Sequence, residues 1–190
     1  MGTVVDHPAP TAPTGLAVIL RRLYLLRFAF AALWAALLFT TADTLGPLSG
    51  TLLVLYPLFD AACAVADLRS TRAEGGAGTR LWVNITLSVL TGIALALALT
   101  SGIPAVLRVW GVWAVTAGIT QLTVGVARRR MGGQWPMIAS GAISTLAGAS
   151  FFLQAGEEGA TLTNLAGYAF LGGVFFLVSA LRLKSANRND

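Results

Sequence analysis

Six runs of about twenty apolar residues, each bounded by charged residues or by glycine and proline, leave this chain one environment to fold in. A run of that length crosses the hydrocarbon core of a bilayer as a helix, which satisfies its backbone donors and acceptors within the segment. The first span is read from after Arg27 to about Thr41, and the second from Thr51 to about Leu68. The others run from Leu81 to about Thr100, Val106 to Ala127, Trp135 to Ala155 and Thr163 to Leu181. Gly102 and Pro104 punctuate one turn, and Pro136 stands in the first turn of a span, where proline is tolerated. Only 11% of the 190 residues are charged and the mean hydropathy is +0.75, whereas a soluble domain carries about 25% charge. The expected fold is therefore all-α, a six-transmembrane-helix bundle over residues 15–184. A proline-containing disordered tail is expected at 1–14 and a short cytoplasmic tail at 185–190.

With one cysteine, Cys63, and one histidine, His7, the chain has no internal disulfide, Cys/His zinc site or histidine triad to offer. No metal or cofactor is expected, and any chemistry would rest on carboxylates, hydroxyls, amides or aromatic rings. The net charge of +5 would suggest nucleic acid in a soluble protein. Its basic residues flank apolar spans, so anionic lipid headgroups are the expected partner, with no nucleic acid. Twelve of the thirteen Lys and Arg residues fall in the N-terminal flank, the second-to-third and fourth-to-fifth turns, and the C-terminal tail. By the positive-inside rule both termini are expected to face the cytoplasm. Arg108 is the exception; with Asp43, Glu157 and Glu158 also placed at the outer end, an outer salt bridge is expected.

The spans repeat. Ser88-Val-Leu-Thr-Gly92 in the third matches Ser144-Thr-Leu-Ala-Gly148 in the fifth, and Trp113-Ala114 with Gly118 matches Tyr168-Ala169 with Gly173. Tyr56 aligns with Trp113 and Tyr168, so three related helical hairpins are expected. Gly111, Gly118 and Gly125 recur every seven residues in the fourth span, and Gly141 and Gly148 do so in the fifth. Such stripes let backbones approach, within the bundle or between copies in a homo-oligomer.

The stretches LRVWGVWAVTAGITQLTVGVARRRMGGQWPMIASGAISTLAGASFF and LAGYAFLGGVFFLVSALRLK carry an aromatic residue, a small-residue stripe, a basic stop and a glycine-rich span opening on Trp. In this pattern the chain resembles the HdeD-like acid-resistance membrane proteins of bacteria, well from about Leu107 onwards and moderately in the third span. The resemblance implies a six-span inner-membrane protein with a role in acid or envelope stress. It supplies no catalytic residue.

The second span departs from that pattern with Tyr56-Pro-Leu-Phe-Asp60, which sets a carboxylate near mid-bilayer. Tyr56, Asp60, Cys63 and Asp67 share one helical face. An isolated carboxylate at that depth needs a proton, a cation or water. Arg27 is expected to pair with Asp67, leaving Asp60 without a cation, neutral, and hydrogen-bonded to Tyr56 or to a Ser or Thr on a neighbouring span. Two functions follow from this. In one the bundle is non-catalytic and Asp60 clamps helices. In the other Asp60, with Asp67 and Tyr56, is an acid catalyst that protonates an isoprenoid alkene or epoxide, as a terpene cyclase does. Trp34, Trp113, Asn84 and Gln121 would then bind the hydrophobic substrate, with Gln134 lining the same cavity. Trp82, Trp135 and Trp110 are expected in the interfacial aromatic belts.

Overall fold

The computed structural model describes residues 14–72, 78–127, 129–131 and 135–186. It contains six long helices: α1 (Thr14–Phe39), α2 (Pro47–Arg72), α3 (Thr79–Ala98), α4 (Ile103–Ala127), α5 (Trp135–Gln154) and α6 (Thr163–Ala186). Single 3-10 turns follow α3 at Leu99–Ser101 and α4 at Arg129–Met131, and the described residues include no strand. All six helices are long and apolar enough to cross a membrane, so the chain is a multi-pass membrane protein. The N-terminal tail and the last four residues lie outside the described residues, while α6 continues two residues past the expected end of the bundle.

The main difference from the expected spans is at the start. The first apolar window opens at Val18, so Arg27 lies inside α1 rather than ahead of it. Elsewhere the ends agree to within a few residues, for local reasons. Gly102 leaves α3 with φ of +89°, a left-handed turn that ends the helix before α4 begins. Pro47, Pro104 and Pro136 each stand at the first or second position of their helix, where the missing N–H is no loss. The Ser49 hydroxyl accepts from the Gly46 N–H at 2.8 Å and donates to the Thr44 carbonyl at 2.9 Å, fixing the link into α2. Across the same end of the bundle, the Leu162 N–H donates to the Ala42 carbonyl at 2.9 Å and ties the α5–α6 link to the α1–α2 link.

Each helix packs on its neighbours in the chain, and α6 returns to α1, so the six form a ring. The closest pairs are α4 with α5, α1 with α6, and α2 with α3; the pairs α1/α2, α3/α4 and α5/α6 are looser. Close packing thus crosses the boundaries of the hairpin units read from the sequence. The glycine stripes explain the tightest seam. A Cβ on Gly118 would lie 2.6 Å from the Gly141 carbonyl oxygen, and one on Gly148 would lie 2.7 Å from that of Gly111. The small-residue series of α4 and α5 therefore face each other within one chain.

The three aligned aromatics, Tyr56, Trp113 and Tyr168, pack against a single core that includes Trp34, Leu53, Leu107, Trp110, Phe151 and Leu165. Trp110 is fully buried there, 5.8 Å from Trp34 and 4.9 Å from Trp113 between ring centroids. The aromatic-belt expectation for it is therefore overturned: its helix turns that residue inward, while Trp82 and Trp135 remain exposed. The outer salt bridge is not formed either, since Arg108 is exposed and makes no ion pair among the described residues.

Candidate functional site

Pro57 sits inside α2 and has no N–H to give the Leu53 carbonyl. At this weakened turn the Trp34 indole of α1 donates to the neighbouring Leu52 carbonyl at 2.6 Å, a buried side-chain-to-backbone bond between helices. Phe30 stacks on Phe59 with centroids 3.7 Å apart, and Tyr56 meets Trp34 edge-on at 4.7 Å. These contacts set the register of α1 against α2. Trp34→Phe loses the donor and part of the buried ring system, and is expected to cost about 2–3 kcal/mol in an equilibrium unfolding titration, about 1 kcal/mol of it the hydrogen bond. No loss would show that the bond carries nothing.

One turn beyond Tyr56, that register brings Asp60 opposite Arg27. Arg27 Nη1 lies 3.2 Å from Asp60 Oδ1, with the two side chains only 13% and 20% exposed. The other carboxylate oxygen accepts from Asn84 Nδ2 at 3.0 Å and from Ser88 Oγ at 2.9 Å, both on α3. The expectation that Asp60 lacks a cation is thus overturned. Arg27 was placed at the membrane boundary because the first span was started after it; inside α1 it reaches the middle of α2. A hydrogen bond from a serine on a neighbouring span was foreseen, and Ser88 makes it. All three partners donate and none accepts, which is the environment of an ionised carboxylate. Arginine keeps its proton in proteins, so the pair is ionic.

The pair reaches further than two helices. Arg27 lies over the Phe176 ring of α6 at 4.9 Å, so one guanidinium links α6, α1 and α2, and Asp60 extends the linkage to α3. Cys63 is buried on the same face of α2, within electrostatic reach of both charges. Asp67 lies half-buried nearly two turns further along α2. The repeat adds a parallel: Ser88 donates to Asp60 of α2, while its counterpart Ser144 accepts from the Tyr168 hydroxyl of α6 at 3.0 Å.

The other sequence-selected residues divide in two. Trp34 and Trp113 belong to the packed aromatic core. Asn84 and Gln121 line a separate cavity between α3 and α4, closed at one side by Met137 of α5. Gln134 lies outside the described residues. Asn84 joins the two regions, since it lines the cavity and donates to Asp60. Sequence reading missed Arg27 as a site residue, although an arginine ten residues into a helix starting near Val18 was the available signal.

Residues 86–153 match a family model described as a short repeat of unknown function (DUF308). The match spans most of α3, all of α4 and nearly all of α5, and fits a membrane-protein repeat family. No curated protein and no solved structure matches the chain.

Proposed function

We propose that this protein is a non-catalytic bundle of the bacterial inner membrane, of the HdeD-like kind, that acts in acid stress and is held together by the Arg27–Asp60 pair. The observation that carries the reading is the Asp60 carboxylate, held by donors from α1 and α3 inside an apolar bundle. Its other neighbours are Tyr56 and Cys63 on its own helix and Tyr168 of α6, neutral groups that offer no second cation. Asp60 must be ionised to pair with Arg27. The pair and the two α3 donors link α1, α2 and α3 through one carboxylate. Losing it would leave the α1/α2 seam to the Trp34–Leu52 hydrogen bond and the Phe30, Phe59, Trp34 and Tyr56 ring contacts.

An acid catalyst at this position would need a protonated Asp60 facing open space. Asp60 instead faces three donors, one of them a permanent cation. Asp60, Asp67 and Tyr56 are accordingly read as a structural face of α2. Both termini are placed in the cytoplasm, with the exposed Arg129 and Arg130 beside anionic headgroups.

In cells lacking the chain, wild type is expected to raise survival through an acid challenge, and Asp60→Asn and Arg27→Gln are expected not to. With purified protein in nanodiscs, Asp60→Asn and Arg27→Gln should each be less stable than wild type at neutral pH. Equal survival with and without the wild-type chain would remove the acid role. Equal stability of wild type and both variants would remove the pair as a structural element of the bundle.

A further inference from the structure

The three looser seams of the ring are closed in different ways. At α1/α2 an ion pair and stacked aromatics cross between helices, and at α5/α6 the Tyr168 hydroxyl donates to Ser144 while Phe151 meets Tyr168 edge-on. At α3/α4 there is a cavity of about 180 Å³. None of its wall residues bonds across that seam: Asn84 turns to Asp60 on α2, and the Thr120 hydroxyl donates to Thr116 within its own helix. The Gln121 carbonyl oxygen Oε1 is buried and has no hydrogen-bond partner. A buried acceptor left without a donor costs about 1–3 kcal/mol, so such an atom in a cavity wall marks where a donor binds.

The rest of the wall is apolar, with Val83, Leu87, Val124 and Met137 around the two amides. Val83, Thr120 and Met137 are exposed, so the cavity opens on the outer surface of the helices, where lipid lies. An engineered apolar cavity of about 150 Å³ takes benzene, so this one has room for a hydroxyl and roughly the first six carbons of a chain. The remainder of such a chain would leave through the open side into the bilayer. The ester carbonyls of a diacyl lipid are acceptors and can supply no donor to Gln121 Oε1.

We infer that the α3/α4 cavity is a binding site for a single-chain membrane amphiphile with a free hydroxyl, a long-chain alcohol in chemical class, whose O–H donates to Gln121 Oε1. This assignment is independent of the acid-response reading, because it uses neither Arg27 nor the charge on Asp60.

The test uses wild-type protein in phosphatidylcholine nanodiscs and a hexadecanol carrying a photoactivatable diazirine near its hydroxyl end. Mass spectrometry of the labelled peptides should place the adducts on Val83 to Leu87 and Ala117 to Val124. Unlabelled hexadecanol should compete at least tenfold more effectively than hexadecyl methyl ether, which has the same chain and no donor; that is a difference of about 1.4 kcal/mol. Gln121→Leu should abolish the preference for the alcohol while keeping some apolar labelling. Ala117→Met, which fills the cavity and keeps the Gln121 amide, should abolish labelling altogether. Equal competition by alcohol and ether on wild type would overturn the assignment without recourse to any variant. So would labelling spread evenly over the lipid-facing helices, or no labelling, as in a cavity holding water alone.

Discussion

Arg27→Leu is expected to destabilise the bundle by about 3–5 kcal/mol, because it leaves the Asp60 carboxylate buried with its cation removed. The partial exposure of the two side chains, 13% and 20%, favours the lower end of that range. Asp60→Leu should cost a similar amount for the converse reason, since Arg27 would keep its charge over Phe176 with no anion opposite. The double variant Arg27→Leu/Asp60→Leu removes both charges. It should recover most of the loss, ending within about 1–2 kcal/mol of wild type, because apolar replacement of a buried pair is often neutral. The remaining cost is that of Asn84 and Ser88, which lose their acceptor. Equilibrium unfolding in mixed micelles of all four proteins measures the cycle. Losses that simply add would show that the two charges act independently and that the seam is held by something else.

The second large effect lies on the far side of the ring, where no charge is involved. Gly118→Ala is expected to cost about 2–3 kcal/mol, since its methyl group has nowhere to go. The new Cβ would sit 2.6 Å from both the Gly141 carbonyl oxygen and the Thr145 backbone nitrogen. Neither atom is the end of a flexible side chain, so α4 and α5 must part to admit it. Gly172→Ala is the matched comparison: the same added atom, in a helix, with nothing within 4 Å of it. That change should be neutral or stabilising by up to about 1 kcal/mol, from helix propensity alone. If both substitutions behave alike in the same titration, close backbone approach is not what the stripe provides.

The helices were legible because hydropathy is a property of single stretches of chain. Twenty apolar residues in a row specify a span whatever lies beside it. The glycine stripes were legible as packing surfaces for the same reason, though not which helix each would meet. Asp60 stood out as the residue that could not face lipid. Its partner did not, because pairing depends on how deep Arg27 sits, and that turns on where α1 begins. A start set by the last arginine put Arg27 at the boundary; the helix itself begins at Thr14. Trp110 failed in a related way. Its place near a helix end suggested the interface, whereas the direction its ring takes is fixed by Trp34 and Tyr56 on other helices. A shared cavity for Asn84 and Gln121 was legible, but its place at the α3/α4 seam, apart from Trp34 and Trp113, was not, since an open seam is a relation between helices that no single stretch records.

The closing of the ring by α6 against α1 also bears on the order in which the protein is made. During synthesis α1 meets its tightest neighbour only after four further spans have been made, a delay on the order of ten seconds at ordinary elongation rates. Throughout that interval α1 carries a guanidinium within its apolar stretch. Asp60 arrives with the very next helix, so the nascent α1 acquires a counter-ion before α6 exists. The ion pair thus serves nascent α1 as a built-in escort, holding it in the bilayer until Phe176 and Gly173 of α6 come to occupy its other side.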